Sequence, residues 1–486
     1  MLFSRKFQAN SRTYKMNSKL TLFWGLFIFL ISGILFSLSN NNLISVFFVF
    51  ISMFCGIFLI VFRKDIPVFS PIFMLISSIF INIGFPALFF LMDKTPFSEE
   101  LLKNISITYL IYFFALIFPL FFANQIFVPS NAQKEIPKSI FSINFKSANI
   151  NFYLIISNLL LILFIFFLLK STDFSYIEAL KHPLNFRFAA SAGSLAYIRK
   201  LIFFIFMINT FLLAKYNFVS KSTLKLKLFS IFHIIFLLAF AAISGSRSII
   251  FLPVLSSIAV YIFYNRLKIK TIFIFSIIFL LTLGLISFYS IYRNNSKASF
   301  DFKEIKIENV LVESINRLDN FKNSLYFFEY IEKENNTIFY FKDFHILEQV
   351  KNHILQPFSR NLIPQKGYYF SSLMTEKVFN TDINDVKITY NFGGISNAFW
   401  NFGIAGVILE GLFLGIAVVW LHRKFLKYIN YDSFFLFFMV TFFFIPNSII
   451  VDGFWNTMDG CGYFLNLIIL GVLLLILSLR IRLVKN

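Results

Sequence analysis

Residues 228–264 read LFSIFHIIFLLAFAAI, then SGSRS, then IIFLPVLSSIAVYIFY. Two apolar runs, each near the length of a membrane-crossing helix, are joined by five small or polar residues. Lipid offers the backbone no hydrogen-bond partners, so such runs satisfy themselves as helices. The shortness of the join makes the pair a tight helical hairpin. The same reading extends along the chain. A bilayer-spanning helix takes about 20 largely apolar residues. Candidate spans cover 20–38, 43–62, 67–91, 106–125, 151–169, 201–214, 228–244, 248–264, 271–292, 396–421, 433–450 and 462–479. The expected fold is therefore an all-α polytopic membrane protein of about twelve transmembrane helices. The first span follows a polar-rich leader without a small-residue cleavage site, which reads as a retained signal anchor. No internal repeat is visible.

Composition agrees. Of 486 residues, 58% are hydrophobic and 14% are charged, with a mean hydropathy of +0.75. A soluble chain carries about 25% charged residues, so a soluble enzyme, a disordered chain and a disulfide scaffold are excluded. The 74 phenylalanines accompany abundant Ile, Asn and Lys, as codon drift would produce. Cys55 and Cys461 are the two cysteines, with no placement that favours a bridge and no metal spacing.

The net charge of +20 would point to nucleic acid on a soluble protein. In a membrane chain its distribution sets orientation. With the N-terminus in the cytoplasm, the cytoplasmic segments hold 23 basic residues, opposed only by Asp65, Glu135 and Asp432. They carry the whole excess, both termini are cytoplasmic, and no nucleic-acid partner is needed. The long connection 293–390 between spans nine and ten is external and neutral, with 13 basic and 13 acidic residues. Its stretch Ile305–Glu334 is helix-like. The chain divides into a membrane domain 1–292 with a medium external loop 170–200, the large external loop 293–390, and a second membrane domain 391–486.

No P-loop, dinucleotide fingerprint, HExxH or GxSxG occurs. The five histidines do not cluster as metal ligands, so neither metal nor cofactor is expected. His233 lies within a span and reads as a hydrogen-bonding partner for a neighbouring helix. The external arginines are more informative. Arg247 in Ser244-Gly-Ser-Arg-Ser248 is held at the membrane surface, where a planar guanidinium suits bidentate phosphate contact; a lipid-snorkelling Arg is the alternative. In the long loop, Gln356-Pro-Phe-Ser-Arg360-Asn-Leu-Ile-Pro364-Gln-Lys366-Gly367 presents two cations around two prolines, which restrict the backbone. Arg187 and the Arg199-Lys200 pair lie in the other external loop, the pair also fitting interfacial anchors. The entry to span ten, Tyr390-Asn-Phe-Gly-Gly-Ile-Ser-Asn397-Ala-Phe-Trp400-Asn401-Phe-Gly403-Ile-Ala-Gly406, permits an unusual turn at Gly393-Gly394. Gly403, Gly406, Gly411 and Gly415 allow close helix approach. Glu410, in the same span, reads either as paired with a polar group of the bundle or as part of a proton or substrate path.

A Ser-Gly-Ser-Arg turn, then Pro-x-x-Arg-x-x-x-Pro-x-Lys in a long external loop, then a Gly-Gly…Asn-Phe-Gly-x-x-Gly span resembles the Wzy-type oligosaccharide repeat-unit polymerases of O-antigen and capsule synthesis. The specific motifs lie between 244 and 415. Pro357 stands three residues before Arg360, whereas the family often has Pro directly before that Arg. The resemblance implies a GT-C-like, metal-independent glycosyltransferase of the bacterial inner membrane. It implies block transfer of undecaprenyl-diphosphate-linked glycan in the periplasm, alongside membrane lipids and a separate chain-length-determining co-polymerase. By this resemblance Arg247 and Arg360 are catalytic and Lys366 follows in the same motif; Lys366, Arg187, Arg199, His353 and Asn401 are the candidate substrate-binding residues. Glu313, His345, His353, Glu376, Asp452 and Asp459 are candidates for the proton acceptor. An O-antigen ligase acting on lipid A core shares these features. A repeat-unit flippase fits the span count but not the long loop or the lack of repeated halves.

Overall fold

The structure is a computed structural model. It describes residues 2–38, 43–85, 97–126, 147–190, 195–219, 224–244, 248–265, 320–335, 370–380 and 392–428, together with single positions at 87, 271–284 and 438–453. Among the described residues the regular structure is all helical, without strands, and six helices are long and apolar enough to cross a membrane.

The helices are α1 (Leu2–Leu38), α2 (Leu43–Val61), α3 (Pro71–Ile79), α4 (Glu99–Ile126), α5 (Ser147–Ser171), α6 (Tyr176–Lys181) and α7 (Pro183–Ala189). They continue with α8 (Leu195–Val219), α9 (Leu224–Ser244), α10 (Ser248–Tyr264), α11 (Asn320–Asn335), α12 (Phe370–Phe379) and α13 (Gly393–Tyr428). The six long apolar stretches are Ser18–Ser37, Glu99–Phe121, Ile150–Ser171, Ile198–Phe218, Leu224–Ser244 and Gly393–Tyr428. Shorter apolar helices at Val46–Val61, Pro71–Gly84 and Leu252–Phe263 fall on the expected second, third and eighth spans. The sixth expected span, short in the sequence, extends in both directions to fill α8. The expected spans 271–292 and 433–450 lie mostly, and 462–479 wholly, outside the described residues.

Local chemistry accounts for several helix boundaries. Ser70 accepts the Phe73 N–H at 3.4 Å and Pro71 follows in the first turn, the usual start signals of a helix. α3 then widens into a π-helical turn at Phe80–Gly84, where the Asn82 amide donates to the Ser78 carbonyl at 2.9 Å. Outward faces of α5 and α9 stay apolar, with Leu163 61% and Ile235 62% exposed. That pattern suits lipid rather than water.

The bundle has two distinguishable ends. At one, the Thr21 hydroxyl donates to the Ile66 carbonyl at 2.8 Å and His422 lies beside the Asp65 backbone. Leu20 and Phe69 pack there against Ile258 and Ile262, and Phe218 meets Tyr261 edge to face with centroids 5.1 Å apart. Lys19, Arg63, Lys64, Arg423 and Lys424 border this end. At the other end, α11 and α12, both from the long connection, dock on the bundle through aromatic rings. Phe321 stands 4.7 Å from Phe48 and 5.6 Å from Tyr109, and Phe328 stands 4.9 Å from Phe399.

A tight crossing joins α4 and α13. A Cβ on Gly411 would lie 2.9 Å from the Ala115 Cβ and 3.0 Å from the Tyr112 carbonyl oxygen. One on Gly415 would meet the Leu116 carbonyl and the Pro119 ring. Bare glycine surfaces thus bring the two backbones together.

Candidate functional site

The tenth expected span is not one continuous helix. Phe402 (φ −145°, ψ 21°) and Gly403 (φ 56°, ψ −144°) leave helical geometry inside α13. The Gly403 conformation is open to glycine and strained for any residue with a Cβ. The two halves fold back sharply, because a Cβ on Gly406 would strike the Ala398 carbonyl oxygen, eight positions earlier. A straight helix would separate those positions by about 12 Å. The first half, 393–401, is buried along its whole length. The second half, 404–428, is long enough to cross a bilayer, at about 1.5 Å per residue.

Buried polar groups gather around the first half. Ser324 of α11 receives a hydrogen bond from the Tyr109 hydroxyl at 2.9 Å and one from the Ser396 hydroxyl at 3.2 Å. Ser324 donates to the Phe392 carbonyl at 2.6 Å, and Ser396 reaches the same carbonyl at 2.8 Å. Four residues from three segments are tied at one point. One turn along, the Asn401 amide donates to the Asn397 backbone carbonyl at 3.0 Å and to its side-chain oxygen at 3.1 Å. The Lys377 ammonium of α12 sits 5.2 Å above the Trp400 ring centre, a cation–π distance. Glu410, buried one turn beyond Gly406, abuts Gly453 and has Tyr112 as an electrostatic neighbour.

Of the sequence-based candidates, Asn401 belongs to this cluster. Arg187 and Arg199 meet elsewhere, at the start of α8, where the Arg199 guanidinium donates to the Arg187 carbonyl at 3.4 Å. Arg247, His353, Arg360 and Lys366 lie outside the described residues. What is described is the frame of Arg247: α9 ends at Ser244, whose buried hydroxyl donates to the Ala241 carbonyl at 3.1 Å, and α10 begins at Ser248. His233 hydrogen-bonds Thr210 of the neighbouring helix α8 at 2.9 Å, the structural role its sequence position suggests. No group of three or more His, Cys, Asp or Glu able to hold a metal occurs among the described residues.

Sequence reasoning singled out Gly393–Gly406 but took span ten as continuous. It also missed Tyr109, Ser324 and Lys377, which come from segments remote in the chain. Compared with protein-family models, curated proteins and solved structures, the chain matches none.

Proposed function

We propose that this chain is a glycosyltransferase that polymerises undecaprenyl-diphosphate-linked oligosaccharide repeat units, a Wzy-type polymerase of the bacterial inner membrane. The observation that carries the proposal is the order of its three motifs. A Ser-Gly-Ser-Arg connection between two helices precedes a long segment with Pro-x-x-Arg-x-x-x-Pro-x-Lys, and a glycine-rich span follows. The abrupt helix ends at Ser244 and Ser248 support the first motif as a tight surface turn. The break at Gly403 supports the third as more than a packing stripe.

The cationic end of the bundle faces the cytoplasm, by the rule that inward loops keep Lys and Arg. About twelve helices in a GT-C-like arrangement then place 293–390 in the periplasm. In the reaction, the bond between the anomeric carbon of the growing glycan and its lipid diphosphate breaks. A new bond forms from that carbon to a hydroxyl oxygen of the incoming repeat unit. The hydroxyl proton passes to a base, and the diphosphate leaves with the bonding pair. Arg247 and Arg360 stabilise the charge that gathers on the leaving diphosphate, an effect strongest where water is scarce. Lys366, Arg187, Arg199, His353 and Asn401 hold the two glycan-bearing substrates.

Replacement of the chromosomal gene by Arg247→Ala or Arg360→Ala alleles tests the assignment. Long-chain polysaccharide should be lost, with single repeat units attached to core. Wild-type chain length and amount in both variants would overturn it. Arg→Lys at either position should also impair the enzyme, since Lys cannot reproduce a bidentate contact.

A further inference from the structure

We infer that α6 and α7 form an amphipathic platform lying in the membrane interface, with lipid rather than water or protein against its apolar side. The first ground is depth. The Tyr176 hydroxyl donates to the Ala239 carbonyl at 3.0 Å, five residues before α9 ends at Ser244. At 1.5 Å per residue, the tip of Tyr176 is held about 7 Å below that end, and α6 packs beside α9. It therefore lies against the side of the bundle and not on top of it.

The second ground is how α6 divides its surface. Ala179 faces the protein and is fully buried. At 100° per residue, Tyr176, Leu180 and Ile177 fall on one exposed arc, and Lys181 and Glu178 on the adjoining one. The apolar arc is open: Ile177 is 64% exposed. α7 repeats the arrangement, burying Pro183 and Phe186 while leaving Phe188 exposed. The apolar arc adjoins the outer face of α9, where Ile235 and Leu238 are exposed and form part of the lipid-facing belt. A short helix with one apolar and one charged exposed arc, at the rim of such a belt, fits the boundary between acyl chains and headgroups. Lys181 and Arg187, each in the last turn of its helix, lie at the level of the headgroup phosphates. The platform requires only that the chain sit in a bilayer, and does not depend on the polymerase reaction.

Spin labels test it on the full chain in nanodiscs of phosphatidylethanolamine and phosphatidylglycerol. Cys55 is buried, so only Cys461→Ser is needed before introducing Ile177→Cys, Leu180→Cys or Glu178→Cys singly. Collision rates with oxygen and with a water-soluble nickel chelate report depth. Labels at 177 and 180 should favour oxygen and lie about 5–10 Å into the headgroup–acyl boundary; the label at 178 should favour nickel. Equal nickel access at all three positions would show a segment standing in water. Exclusion of both reagents at 177 and 180 would show protein covering them, a second copy or a partner. Either result overturns the inference and leaves the polymerase assignment untouched.

Discussion

Gly403→Ala addresses the feature that turns a long apolar stretch into a candidate site. With φ 56° and ψ −144°, the wild-type residue occupies backbone space that a Cβ disfavours. Holding alanine there costs about 1–3 kcal/mol of local strain. The chain escapes that cost only by straightening toward a continuous helix. Straightening pulls 393–401 away from Gly406 and takes Ser396 from Ser324, losing a hydrogen bond of about 1 kcal/mol. Both routes predict a loss of about 1–3 kcal/mol. Gly406→Ala acts on the same fold-back, because its Cβ would strike the Ala398 carbonyl. Combined with Gly403→Ala it should therefore cost less than the sum of the two. Gly284 supplies the control: among the described residues nothing lies within 4 Å of a Cβ there, and alanine should be neutral or slightly stabilising. Reversible unfolding in mixed micelles, read by tryptophan fluorescence, measures all four variants. A Gly403→Ala protein within about 0.5 kcal/mol of wild type, the spread of inert substitutions, would refute the claim that this glycine makes the break.

Four further outcomes are expected. Gly411→Ala puts a methyl 2.9 Å from the Ala115 Cβ between two helix backbones, and should cost about 1–3 kcal/mol in the same unfolding assay. Gly33→Ala, 3.7 Å from the flexible end of Met53, should be tolerated. Ser324→Ala removes the shared partner of Tyr109 and Ser396 and should destabilise by about 1–3 kcal/mol; a double-mutant cycle with Tyr109→Phe should show coupling, and strict additivity would contradict the network. The hydrogen bonds from Ser175 hold the Glu178 carboxyl below its ordinary range. Because the folded value lies below the unfolded one, the cap's contribution is present above the unfolded carboxyl range and is lost as pH falls through the folded value. Hydrogen exchange at residues 176–181 should accelerate at acid pH relative to the intrinsic rate, and Glu178→Gln should abolish that pH dependence.

The spans were legible because apolar length is a local property, and nine of the expected twelve coincide with apolar helices among the described residues. The helix ends at Ser244 and Ser248 were legible for the same reason: five small or polar residues separate the two apolar runs. Glycines 411 and 415 announced a close crossing, although only the structure names α4 as the partner. The break at Gly403 was hidden, since no proline marks it and Gly406 fits a packing stripe equally well. What selects the break is tertiary: Ser324 of α11, itself bonded by Tyr109 of α4, holds Phe392 and Ser396 at the start of the first half-helix. The cluster could not be read in advance, because Tyr109 and Ser324 are 215 positions apart. Likewise, the exposed arc of α6 carries no signal in six residues until its depth beside α9 is known.

The central claim is tested most directly with purified protein in lipid nanodiscs, supplied with undecaprenyl-diphosphate-linked repeat units and analysed for polymer by gel electrophoresis. Wild-type protein should give a ladder of glycan blocks without nucleotide sugar or metal. Arg247→Ala and Arg360→Ala should each slow its formation by about 10²–10³-fold, as expected for removing a group that stabilises transition-state charge. Absence of any ladder from wild-type protein, or an unchanged ladder from both variants, would contradict the account.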